Sequence, residues 1–264
     1  MRLSTFPLAF TLWVSMLATV AHAQRVPDLE REQRMVDEIV DVIFDGDPIE
    51  LSDGDREFLA IFMEADEPKG TVIIAHGRGY HADWESVVNP LRVGLVEAGW
   101  NTLSIQLPVL EKSAKYFDYV DIFDDAAPRF QAATEFAKQQ GGKVVLLAHS
   151  CGSHMAQRWI KNQPEASLAS FDAYIGIGMG ATDYKQPMVE PFQLDKMPMP
   201  VLDLYGSEDF PAVIRKAPER LAMLEKAGNP KSAQLVVEGA EHYFKTHKSE
   251  LVDTVSGWLD RLLP

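Results

Sequence analysis

Three polar residues of this chain stand in the order serine, acid, histidine, each beside a strand-like run. Together they have the chemistry of nucleophilic acyl transfer. Ser150 lies in Ala148-His149-Ser150-Cys151-Gly152, directly after the apolar run Lys143 to Ala148. A serine hydroxyl is a weak nucleophile until a base takes its proton, and that base needs a third group to orient it. Asp209 follows the run Pro200 to Tyr205 in Gly206-Ser207-Glu208-Asp209, and His242 follows Ala233 to Val237 in Glu238-Gly239-Ala240-Glu241-His242. A nucleophile on a sharp strand-to-helix turn needs small residues two before and two after it, where the backbone crosses itself. Ala148 and Gly152 meet that requirement, a GxSxG-type elbow with Ala in place of the first Gly.

Acyl transfer also needs two N–H donors for the developing oxyanion. The Cys151 N–H, first after the nucleophile and at a helix start, is one candidate. The second is the Arg78 N–H in His76-Gly77-Arg78-Gly79, a loop that follows the early run Thr71 to Ala75 and whose glycines permit close backbone approach. Cys151 makes a poorer nucleophile, because His149 and Ser153 would flank it at minus and plus two. Asp183, after the run ending at Gly178, is the alternative acid. Asp203 lies inside a strand run and reads as a buried, hydrogen-bonded carboxylate. His76, His149 and His154 read as supporting or surface residues. The Arg78 side chain is solvated, paired with an acid, or available to a substrate carboxylate.

The elements that must position these residues are legible as alternating patterns. Arg25 to Phe44 has apolar residues near helical spacing, and Ile49 to Leu51 with Glu57 to Met63 reads as a strand hairpin. Further strands are expected at Thr71 to Ala75, Asn101 to Leu107, Lys143 to Ala148, Ala173 to Gly178, Pro200 to Tyr205 and Ala233 to Val237. Helices are expected at Asp83 to Ala98, Ala126 to Gln140, Gly152 to Gln163, Ala212 to Ala227 and Lys248 to Leu262. Runs such as TVIIA and KVVLLA are continuous rather than alternating, as in parallel strands covered on both faces. The expectation is a doubly wound α/β domain with a mixed leading edge. The stretch holding Tyr184, Met188, Val189, Phe192, Met197 and Met199 is too short for a large cap domain, and Val109 to Phe123 is a second insertion. They either line a shallow pocket or simply cover the sheet.

The chain has 264 residues, 46% hydrophobic and 24% charged, as in an ordinary globular protein. Its 25 Lys and Arg against 39 Asp and Glu leave a net charge of -14, which disfavours nucleic acid and anionic membranes as partners. Met1 and Arg2, the apolar run Phe6 to Val20 and Ala21-His22-Ala23 form a signal-peptide pattern, with cleavage expected after Ala23. Residues 1–23 then direct export to the periplasm or beyond, and 24–264 form one domain without a stable membrane insertion. A single cysteine, Cys151, permits no internal disulfide. No metal signature such as HExxH or CxxC occurs, so no cofactor is expected.

Ser, then acid, then His is also the chain order of the α/β-hydrolases, which the mature sequence resembles over nearly its whole length. The segments HADWESVVNPLRVGLVEAGWNTLSIQLP (His81 to Pro108) and VLDLYG (Val201 to Gly206) look more narrowly like an exported bacterial α/β-hydrolase-like family of unassigned function. The resemblance implies a mostly parallel sheet of about eight strands and a serine-hydrolase site, and it implies no substrate. A carboxylesterase acting on small esters is the expectation. Many members of that family lack the serine, so the rival expectation is a non-catalytic binding or accessory protein of the cell envelope. That rival predicts a blocked pocket or a Ser150 out of reach of His242. A dehalogenase or a dienelactone-hydrolase-like enzyme would need Asp or Cys at position 150.

Overall fold

In the computed structural model, which describes residues 24–168 and 171–262, eight strands form one open sheet in the order β1-β2-β4-β3-β5-β6-β7-β8. The strands are β1 (Asp47–Ser52), β2 (Glu57–Met63), β3 (Gly70–Ala75), β4 (Asn101–Ile105), β5 (Lys143–His149), β6 (Ala173–Ile177), β7 (Val201–Glu208) and β8 (Ala233–Glu241). The helices are α1 (Leu29–Ile39), α2 (Val88–Glu97), α3 (Tyr116–Val120), α4 (Ala127–Gln139), α5 (Cys151–Lys161), α6 (Glu165–Leu168), α7 (Pro211–Ala227) and α8 (Lys248–Leu262). β2 runs antiparallel to β1 and β4, and every other pair is parallel, which is the mixed leading edge expected. The signal-peptide segment, residues 1–23, lies outside the described residues.

The continuous apolar runs have the predicted cause. Successive strand side chains point to opposite faces, and here both faces are covered. Ile73, Leu103 and Leu146 pack on one side with Phe130 of α4 and Trp159 of α5. Val72, Val145 and Leu147 pack on the other with Leu91 of α2 and Trp258 of α8.

Element ends depart from the sequence reading for local reasons. The first helix begins at Leu29 rather than Arg25, because the Asp28 carboxylate accepts a hydrogen bond from the Arg31 N–H at 3.0 Å and caps it. The second begins at Val88 rather than Asp83, whose carboxylate instead binds the buried Arg92 guanidinium at 2.7 Å. β7 and β8 run on to Glu208 and Glu241, three and four residues past the expected ends. Those two residues pair across the ladder after a bulge between Gly206 and Glu208. The extension matters because Asp209 and His242 are the next residues on each strand.

Strand order reverses between β3 and β5. The chain leaves β3 toward β4 on one side and returns to β5 on the other, so the loops after β3 and β5 diverge and open a crevice at the carboxyl edge.

Behind that edge the Arg220 guanidinium of α7 donates to the Asp203 carboxylate of β7 at 2.8 Å, and to the carbonyls of Met179 and Val213 at 2.8 and 3.0 Å. Both side chains are fully buried, and Gln234 donates to the same carboxylate oxygen at 2.7 Å. Arg220→Met strands that carboxylate without a countercharge, so it should cost about 3–5 kcal/mol of stability. Urea denaturation of the purified variant measures this, and a loss below about 1 kcal/mol would contradict the assigned role.

Candidate active site

Ser150 occupies the turn between β5 and α5 with φ 53° and ψ -119°. A non-glycine residue in that region is strained, and the strain lifts the hydroxyl clear of the sheet edge. The two neighbours that allow the turn can now be distinguished. A Cβ on Gly152 would overlap the carbonyl oxygen of His76, so only glycine fits there, whereas Ala148 is fully buried in ladder register with Ala75 and Gly176.

Three of the residues singled out in the sequence meet in a single line. The Ser150 Oγ lies 2.8 Å from His242 Nε2, and His242 Nδ1 lies 2.6 Å from Asp209 Oδ1. The Phe210 N–H also donates to Asp209 Oδ1 at 2.6 Å. With Nδ1–H directed at the carboxylate, Nε2 is left as the acceptor facing serine. His242 and Asp209 are buried, and Ser150 is the most accessible of the three. Ser150 borders an open cleft and lies within hydrogen-bond reach of His242.

Of the residues that hold this line, His149 reads in the sequence as a supporting or surface residue, whereas Phe210, Tyr243 and Gly178 have no role assigned there. Phe210 stacks on the His242 imidazole with centroids 4.2 Å apart, and Tyr243 meets the ring edge-on at 5.0 Å. A Cβ on Gly178, at φ 60°, would come within 2.8 Å of His242 Cε1. His149 Nε2–H donates to the His242 carbonyl at 3.1 Å and so fixes the backbone of the base. For those three the sequence shows only that a glycine follows β6 and that an aromatic follows the acid and the histidine. Neither type reveals its contact until the strands are paired.

The loop His76 to Gly79 lies against the nucleophile, since a Cβ on Gly77 would sit 3.3 Å from Ser150 Cβ. The Leu107 N–H donates to His76 Nε2 at 2.9 Å, which leaves the proton on Nδ1, and Nδ1 donates to the Gly77 carbonyl at 2.7 Å. The His76 side chain thereby pins the loop. Among the described residues the N–H groups of Arg78 and Cys151 donate to no protein acceptor. Cys151 opens α5, so its N–H points out of the positive end of that helix. Burial pushes the Cys151 thiol up to about 12, so it remains protonated at neutral pH and is no competing nucleophile.

The imidazole is paired with Asp209, whereas Asp183 is paired with Arg78. Its carboxylate pairs with both terminal nitrogens of Arg78 and accepts from the Tyr116 N–H at 2.7 Å. Gln186 Oε1 accepts from the Phe117 N–H at 2.9 Å, and the Tyr116 hydroxyl from the Val189 N–H at 3.0 Å. Asp183 thus ties the two lid segments to the Arg78 side chain. These hydrogen bonds from Arg78 and Tyr116 hold its carboxyl below the usual range despite partial burial, which acts the other way. Tyr116, Tyr119, Tyr184 and Met188 border the cleft, while Phe192, Met197 and Met199 are buried over the sheet, so the lid residues divide between the two expected roles.

Burial also pushes three histidines down from an ordinary 6.5, His76 and His149 to about 3 and His154 to about 4, and for His149 the neighbouring His242 adds to the effect. The unfolded chain takes up protons at these rings that the folded chain refuses. Their contribution is therefore whole above about pH 6.5 and is lost as pH falls toward the folded values. Each ring removes up to about 1.4 kcal/mol per pH unit within that window. Asp203 and Glu32, whose carboxyls burial pushes up, oppose part of it. Urea midpoints should fall between pH 7 and pH 5, and midpoints that rise on acidification would contradict this balance.

The cleft in front of Ser150 has a volume of about 970 Å³ and is bordered by Arg78, Cys151, Phe210 and Tyr243. Among the described residues no group of three or more His, Cys, Asp or Glu could hold a metal, and no helix is long and apolar enough to cross a membrane.

A doubly wound sheet with its serine on a strained elbow after β5, and its acid and histidine after the last two strands, is the α/β-hydrolase fold. The family model that matches the sequence describes a protein of unknown function (DUF3530), over residues 10–117. That match includes the Arg78 loop and ends before Ser150, Asp209 and His242. Solved structures of similar fold include a dienelactone hydrolase from Anabaena variabilis, 20% identical with a TM-score of 0.61 over 83% of this chain and 98% of that one. An α/β serine hydrolase without a lid from Xanthomonas campestris is 17% identical, with a TM-score of 0.62 over 84% and 96%. An esterase from Pyrococcus furiosus is 16% identical, with a TM-score of 0.63 over 85% and 95%. No protein of curated function matches the sequence.

Proposed function

We propose that this protein is an exported serine hydrolase of carboxylesterase type that acts on small esters through an acyl-enzyme. Residues 1–23 are its signal peptide, removed after Ala23, and 24–264 are its single catalytic domain. The observation that carries the reading is the unbroken line from Ser150 Oγ through the His242 imidazole to Asp209, at 2.8 and 2.6 Å.

In this mechanism Ser150 Oγ attacks the ester carbonyl carbon while His242 Nε2 takes the hydroxyl proton. Asp209 holds the productive tautomer and stabilises the imidazolium. The oxyanion accepts from the Arg78 and Cys151 N–H groups. Collapse breaks the bond to the alcohol, which leaves with the proton returned by His242. Water, deprotonated by the same Nε2, then attacks the acyl-serine and regenerates the hydroxyl. Anabaena dienelactone hydrolase and the Pyrococcus esterase lend the fold-level analogy.

The test is incubation of the mature protein with a fluorophosphonate probe and a short p-nitrophenyl ester, followed by mass spectrometry of the adduct. Labelling on the peptide carrying Ser150, together with turnover, supports the reading. A folded protein that neither labels nor turns over overturns it and leaves a non-catalytic envelope protein as the alternative.

A further inference from the structure

The walls of the cleft carry charge opposite in sign to the rest of the chain. The protein has 25 Lys and Arg and 39 Asp and Glu, yet the cleft is bordered by seven of the cations and only two of the carboxylates. Both carboxylates are already matched, Glu111 to Arg25 at 2.9 Å and Asp183 to Arg78. Lys216 pairs with Glu219 at 3.2 Å. The remaining five, Arg31, Lys112, Lys115, Lys185 and Arg215, have no carboxylate within ion-pair distance among the described residues.

These five come from four separate segments: α1, the loop leading to α3, the lid segment after β6, and the start of α7. Arg31 is held in place by the carbonyls of Gly79, at 3.0 Å, and Leu110. The Lys185 ammonium lies 5.2 Å from the centre of the Tyr184 ring. Gathering unmatched cations around one depression costs electrostatic energy that an anionic occupant would return. The net charge of -14 repels anions at long range, but salt screens that field within about 8 Å. Inside the cleft the five local charges dominate.

We infer that the substrate ester carries an anionic group, a carboxylate in the simplest case, away from the scissile carbonyl, and that Arg31, Lys112, Lys115, Lys185 and Arg215 select for it. The inference rests on the hydrolase reading and specifies its substrate class. The Arg78 fork is occupied by Asp183, so anion selection falls to the other cations. Their charges act at a distance as well as by contact, and tolerate anions of different shape.

The test compares two esters that share the scissile 4-nitrophenyl end and differ at the far end, one anionic and one neutral: the mono-4-nitrophenyl ester of adipic acid and its methyl ester. The expected result is a kcat/KM at least about tenfold higher for the free carboxylate at low ionic strength, and a preference that shrinks toward parity at about 0.5 M salt. In Lys112→Glu/Arg215→Glu the ratio of the two kcat/KM values should fall at least about tenfold, with near-native circular dichroism as the folding control. Equal or reversed wild-type preference, with both esters turned over and Ser150 labelled by fluorophosphonate, overturns the anion inference and leaves the hydrolase reading standing. Failure of labelling and of turnover with both esters takes down the two together.

Discussion

Ser150→Ala should abolish fluorophosphonate labelling and lower ester turnover by about 10⁴-fold or more, while the urea midpoint stays at or above that of the wild type. The size follows from the position of the serine. It is the group that would form the covalent bond, and among the described residues its hydroxyl is the one that His242 Nε2 meets, at 2.8 Å. The stability should hold because alanine keeps the Cβ, and with it the same backbone conformation at φ 53° and ψ -119°, while removal of the hydroxyl leaves the fold otherwise intact. Because serine and base act as a unit, Ser150→Ala/His242→Ala should be no slower than the single variants by more than a few-fold. Multiplying losses would mean that the two residues work independently and would sink the proposed mechanism. Initial rates on a p-nitrophenyl ester and intact-mass detection of the adduct provide both readouts.

Asp209→Asn should lower kcat by about 10³–10⁴-fold with little change in KM, whereas Asp183→Asn should leave kcat within about tenfold and act mainly on KM. Asp209 Oδ1 is 2.6 Å from His242 Nδ1, so the amide loses the charge that stabilises the imidazolium and admits the wrong tautomer. Asp183 holds Arg78 and the Tyr116 N–H, and its loss loosens the lid rather than the base. Separate measurement of kcat and KM for both variants distinguishes them. A larger kcat loss in Asp183→Asn than in Asp209→Asn would assign the acid to the earlier strand.

Much of the architecture was legible because burial on two faces forces an unbroken apolar run, and a covering helix forces the 3.6-residue period. TVIIA, KVVLLA and PVLDLY could hardly be anything but strands inside such a sheet. Once they are strands, chain order alone puts Ser150, Asp209 and His242 at strand ends on a common edge. Gly152 was legible for the same local reason, since the elbow crosses its own neighbouring loop.

The short lid helix α3 was not legible. Its five residues are too few to display a period, and beside the local cap from the Lys115 N–H to Asp118 its start is held by a hydrogen bond from its Tyr116 N–H to Asp183, a residue distant in sequence.

What the sequence determined by itself is the alternation of elements and, through it, the list of polar residues that could share the crevice. Those properties depend on near neighbours and on which face of an element meets the core. Which of two acids meets the imidazole was decided only by tertiary structure. It depends on β7 and β8 running on until Glu208 pairs with Glu241, on the bulge in that ladder, and on the capture of Asp183 by Arg78. Gly178 against the His242 ring and the five unmatched cations around one cleft belong to the same class. Contacts and fields among residues far apart in sequence depend on strand register and loop path, and no period along the chain encodes either.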